Sequence, residues 1–228
     1  MTESEAHAHH ARLAHQFQDL DQQQETDTLG IWIFLVTEIM FFGGLFAAYA
    51  IYRYLYFAAF DGGSHVLDVK LGAINTMVLL ASSLTMALSV RSAQIGSRRL
   101  IIAFLLATLA LGSVFLFIKG VEYHQKFVEH VVPTLDWGPE GETLAKLAPG
   151  GLPHGEMYFI FYFAMTGLHA LHMIVGVGLL VWLVLRARKG VFAGGYFAPV
   201  EVVGLYWHFV DIVWIFLFPL LYLIGGRY

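Results

Sequence analysis

Two short stretches of this 228-residue chain place groups capable of chemistry inside otherwise apolar sequence: His169 with His172, and His208 with Asp211. Each pair is three residues apart, so on a helix each shares a face. Imidazole and carboxylate together suit several metal ions. A carboxylate can instead hold an imidazole N–H and fix its tautomer. A haem takes its two axial histidines from opposite sides of the ring, and two histidines one turn apart cannot supply that; His172 with His208 could. Haem ligation and a metal site built from His169, His172, His208 and Asp211 are therefore chemically open. The reading that asks least of these residues is an interhelical hydrogen-bond network that packs helices. A third isolated group, Glu38, stands nine residues into another apolar run, roughly 14 Å along a helix. There it acts as a neutral acid bonding two helices or as a carboxyl that handles protons or lipid headgroups. An ionisable group at mid-bilayer costs at least about 2.5–3.5 kcal/mol, so each needs a partner or a purpose.

The elements that must position these groups are fenced by charges. The apolar runs are 29–52, 71–90, 100–118, 157–185 and 202–226, and Glu38 and Asp211 are the only charged residues inside them. About 20 apolar residues cross the roughly 30 Å of hydrocarbon as a helix, and backbone groups in lipid must be satisfied within the segment. Transmembrane β-strands would appear as roughly 10-residue alternating segments, which are absent. The chain is predicted to be an all-α, polytopic membrane protein, a bundle of five transmembrane helices over 29–226. Small residues at 43/47 and 44/48 suit close helix packing after Glu38. Composition agrees, with 58% hydrophobic and 13% charged residues, against about 25% charged in a soluble domain.

Residues 1–28 hold six acids, one arginine and His7, His9, His10 and His15. They read as an acidic tail without the apolar core of a leader. Loops 91–99 and 186–201 carry six basic residues, while the longer 53–70 and 119–156 together carry five. The denser side is predicted to be cytoplasmic, which puts the N-terminus and its tail inside, the C-terminus outside, and 119–156 as an extracytoplasmic loop. Glu122, Tyr123 and His124 then read as a solvated helix end. A net charge of −4 offers no surface for nucleic acid, and the absence of cysteine excludes disulfides and thiolate metal sites. No inverted repeat supports a freestanding transporter.

Four segments carry a resemblance: TEIMFFGGLFAAYAIYR (37–53), KGVEYHQKF (119–127), TGLHALHMIVG (166–176) and EVVGLYWHFVDIVWIFLF (201–218). They resemble cytochrome c oxidase subunit III, in its short bacterial form with five helices rather than seven. The resemblance implies an accessory, non-redox subunit of a haem–copper terminal oxidase in the bacterial inner membrane. Such a subunit packs on subunit I, joins subunit II and other respiratory subunits, binds phospholipid and sustains proton-coupled oxygen reduction. It implies no catalytic residue, no metal and no cofactor in this chain, with haems and copper in partner subunits. Glu38 matches the family's buried glutamate and Glu122 the acid of its E-Y pair. His169, His172, Glu201, His208 and Asp211 match its remaining polar positions, and Arg53 is a candidate lipid-headgroup contact. A quinol oxidase subunit III and a nitric oxide reductase accessory protein share this pattern.

Overall fold

The computed structural model describes residues 20–148, 152–192 and 197–223; the four tail histidines lie outside them. Helix α1 (Leu20–Leu55) is followed by a short α2 (Phe57–Val66), then α3 (Val69–Gln94) and α4 (Arg98–Val128). A two-stranded antiparallel hairpin follows, β1 (Val131–Val132) with β2 (Asp136–Trp137). It leads to the short α5 (Gly141–Leu147), then α6 (Leu152–Arg188) and α7 (Ala198–Phe218), which widens into a π-helical turn over Pro219–Leu223. Five helices, α1, α3, α4, α6 and α7, are long and apolar enough to cross a membrane.

The helices outrun the apolar runs that forecast them. α1 starts at Leu20, inside the segment read as tail, and α4 continues ten residues past Ile118. Hydrocarbon thickness sets how many residues must be apolar; the backbone ladder stops only where a cap or breaker ends it. Residues 20–28 contain neither glycine nor proline, so nothing interrupts that ladder. Where ends do occur, the chemistry is local. Asp68 caps α3 by accepting from the Lys70 and Leu71 amides. The α3–α4 turn closes at Gly96 (φ +76°), and the Ser97 amide reaches back to the Ser92 carbonyl. This is the Schellman geometry, in which the left-handed position suits glycine.

α3, α4, α6 and α7 form the packed core, and Trp207 of α7 sits at its centre, fully buried. Its indole lies where a Cβ on Gly112 (α4) or Gly176 (α6) would stand, 2.7 Å and 2.9 Å from the nearest ring atoms. Its Nε1 donates to Ser82 Oγ of α3 at 3.1 Å. α1 is the outlier: it packs mainly on α7 and turns Trp32, Ile33, Val36, Met40 and Phe41 outward. An apolar face of that extent requires lipid or a partner to cover it.

Candidate functional site

The polar residues resolve into three clusters rather than one network. Of the first, only Glu122 was marked by the sequence. Lys119 of α4, 3% exposed, donates from Nζ to Glu122 Oε2 at 3.0 Å, Tyr222 Oη at 2.9 Å and Tyr162 Oη at 3.3 Å. Its ammonium lies 5.0 Å from the Trp214 ring centroid and 5.2–5.6 Å from those of Tyr162, Tyr123 and Tyr222, within range for cation–π attraction. Glu122 Oε1 accepts from Tyr162 at 2.8 Å and also from Tyr222. Three elements thus meet on one ion pair: α4, α6 and the C-terminal π turn. Glu122 is 1% exposed, which corrects the expectation of a solvated helix end. α4 continues beyond it, and the N-terminal half of α6 and the π turn close over it. Tyr123 beside it bonds Thr166 Oγ1 at 2.6 Å, while Lys126 reaches the Val66 carbonyl and Glu129.

The second cluster joins α1 to α6. His172 Nε2 lies 3.1 Å from Glu38 Oε2, both side chains part-buried. His172 Nδ1 contacts the Leu168 carbonyl at 2.9 Å. A carbonyl only accepts, so Nδ1 is the donor there. Nε2 and Glu38 then share one proton, either as neutral acid with imidazole or as carboxylate with imidazolium. Tyr206 of α7 adds a hydrogen bond to the His172 carbonyl. Glu38 therefore has an interhelical partner.

The third cluster lies between α3 and α7. Ser83 Oγ is 2.7 Å from His208 Nδ1, and Gln94 Nε2 donates to Glu201 at 3.0 Å. Neither oxygen of Asp211, 2% exposed, has a direct hydrogen-bond partner, nor has either ring nitrogen of His169, 1% exposed. The expectation that Asp211 holds a histidine N–H, and that His169, His172, His208 and Asp211 share one network, is thus corrected. Three residues along a helix turn a side chain by about 60° from exact register. That offset sends His172 to Glu38 and His169 between Phe115 and Trp214. The bulk of Trp207 and Trp214 fills the α6–α7 seam, and Asp211 faces α3 instead. Among the described residues no three His, Asp or Glu side chains converge as metal ligands. Arg53 ends α1 with its guanidinium 5.6 Å from the Phe57 ring centroid.

Lys119, Tyr162, Tyr222 and Ser83 escaped the sequence reading. Lys119 sits at the edge of the 100–118 run, where a charge looks solvated, although its i,i+3 spacing to Glu122 is the signal that joins them.

The chain is similar to known proteins. The family model described as cytochrome c oxidase subunit III matches residues 153–226, the α6–α7 part that holds Tyr162, His172, Trp207 and Asp211. The Corynebacterium diphtheriae protein named cytochrome c oxidase subunit 3 is 33% identical over 86% of this chain and 87% of its own length. A Pseudomonas aeruginosa cytochrome bo(3) ubiquinol oxidase subunit 3 is 31% identical over 86% and 84%. A heme-copper oxidase subunit I+III of Aeropyrum pernix is 30% identical over 85% of this chain but only 22% of its own length. With a relative 33% identical over 86% of this chain and 87% of its own length, the chain belongs to the cytochrome c oxidase subunit III family.

Proposed function

We propose that the chain is the accessory subunit of a respiratory haem–copper oxidase that packs on subunit I and sustains proton-coupled oxygen reduction without supplying a redox centre. The observation that carries this reading is the match to oxidase subunits 3 along 86% of the chain. The outward apolar face of α1 gives such a subunit a surface to dock. The Aeropyrum pernix relative is named for subunits I and III in one chain, an arrangement that suits two neighbours. Subunit II, other respiratory subunits and phospholipid complete the proposed surroundings, with Arg53 near a lipid headgroup. Affinity purification of the tagged chain from its native membrane should bring haem absorbance with it; a chain recovered pure and colourless, without partner proteins, would sink the proposal. A quinol oxidase is the second reading, since a relative named for ubiquinol matches almost as well as one named for cytochrome c. The electron donor is then a property of the partner subunits, and assay of the purified complex with each donor separates the two.

In this reading Glu38 and His172 join α1 to the core. Glu38→Gln keeps a hydrogen-bonding group but loses the shared proton. Initial oxygen consumption of the assembled variant should stay within about tenfold of wild type, because no essential chemical step is lost. Activity should instead decay sooner over repeated turnover. Abolished initial activity in a fully assembled complex would place Glu38 on the reaction path, and an unchanged time course would leave it a packing group.

The proposed orientation puts the tail and loops 91–99 and 186–201 in the cytoplasm of a bacterium and the C-terminus outside. A single cysteine introduced at Ser97 should resist an impermeant thiol reagent added to intact cells and react after permeabilisation. Labelling from outside would invert the topology.

A further inference from the structure

α3 and α7 run antiparallel, and three contacts fix their register: Trp214 with Thr76, Trp207 with Ser82, and His208 with Ser83. Asp211 falls between these levels on the same seam and is almost fully buried. Both its oxygens lack a direct partner, and so do both polar atoms of Asn75, less than two turns from Ser82 on α3. Among the described residues no basic side chain forms an ion pair with Asp211. A bare carboxylate in that position would be far costlier than the neutral acid. His208, one turn before Asp211 on α7, has its Nδ1 2.7 Å from the Ser83 hydroxyl. His208 in turn is part of the wall of two grooves on the face of the bundle. One, of about 460 Å³, has Thr28, Arg91, Gln94 and Glu201 in an otherwise largely apolar wall. The other is apolar, between α1 and α7, and includes Trp32 and Phe42. A buried acid therefore lies one hydroxyl and one imidazole away from an open groove.

We propose that Asp211 is a proton-exchanging site reached from the groove through His208 and Ser83, with ordered water completing the link. Fully buried polar atoms without protein partners are the places where internal water is retained. A proton enters at His208 Nε2, and the Nδ1 proton passes to Ser83 Oγ. The hydroxyl's own proton leaves, by way of the water, to form the O–H bond of Asp211. One proton enters and one O–H bond forms, nothing is oxidised or reduced, and the return path is the reverse. Arg91 and Glu201 are the charged groups that line the groove beside His208. The site stands independently of the oxidase reading, because it needs only this chain's own fold.

The test is infrared spectroscopy of the purified native complex transferred from H₂O to D₂O. The carbonyl stretch of a neutral carboxylic acid, assigned to Asp211 by its loss in Asp211→Asn, should be present and should shift on exchange. Exchange should slow about tenfold or more in Ser83→Ala and in His208→Phe, as expected when one hydrogen-bonded link of a relay is lost. Where His208→Phe fails to accumulate, His208→Gln gives the same comparison with an intact side-chain volume. Absence of a band assignable to Asp211 overturns the proposal. So does exchange in Ser83→Ala that stays within about threefold of wild type, since a lost link must raise the barrier measurably.

Discussion

Glu122→Ala should prevent the folded chain from accumulating. Removing the carboxylate leaves the Lys119 ammonium without its counter-charge and strips Tyr162 and Tyr222 of their acceptor. Breaking one side of a buried ion pair costs about 3–5 kcal/mol, and each buried hydroxyl left unpaired adds about 1–3 kcal/mol. Whole-domain stability is about 5–15 kcal/mol, so the loss is of the same order as the total. The aromatic rings around Lys119 soften the penalty without removing it. The double variant Lys119→Met with Glu122→Gln removes the charge as a pair and keeps an acceptor for the tyrosines. It should recover much of the membrane yield, measured by fluorescence size-exclusion of a tagged chain. Equal loss in the single and double variants would show that the charge is not what the cluster protects.

The second large effect is expected at a position without a side chain. Gly112→Ala inserts a methyl group where the Trp207 ring already stands, with the built Cβ 2.7 Å from Cη2. Overpacking of this kind costs about 1–3 kcal/mol. Gly120→Ala on the same helix has no atom within 4 Å of its Cβ and should be neutral or stabilising by up to about 1 kcal/mol through helix propensity. Gly176→Ala meets the other edge of the same ring, so the double variant should cost less than the sum, because one displacement of Trp207 relieves both clashes. Thermal inactivation of the solubilised protein reads all four. A Gly112→Ala melting point equal to that of Gly120→Ala would mean that the indole has room to move.

What could be read in the sequence follows from the physics of each feature. The five helices were legible because hydrocarbon thickness imposes a length that no other element meets, and charges such as Lys70, Arg91 and Arg99 mark the edges. Their full extents were not, since the helical ladder takes in Leu20 and runs on to Val128 through polar residues that hydropathy counts as outside the span. Glu38, His172, His208 and Asp211 were identifiable as costly intramembrane groups. Their partners were not, because helical spacing says which residues share a face but not which neighbour that face meets. The 60° offset between His169 and His172 is small on a helix wheel and decisive in the bundle. Lys119 illustrates the opposite error: a residue at a span edge looks solvated until the tertiary fold covers it. Its tyrosine partners lie 43 and 103 residues away, a separation that no local pattern encodes.

The distribution of anchors along the chain bears on how the protein is made. Trp207 and Trp214, and the Tyr222 hydroxyl, fill niches formed by α3, α4 and α6, yet all three belong to α7 and its π turn, the last described segments to leave the ribosome. Until they arrive, Gly112, Gly176 and Ser82 face an empty centre, and Lys119 and Glu122 lack one of their shared tyrosines. The earlier helices therefore enter the bilayer as loosely associated hairpins, exposed to membrane proteases. Consolidation waits for α7. Nascent chains stalled before residue 198 should be turned over quickly, because the side chains that fill the centre of the bundle have not yet been made.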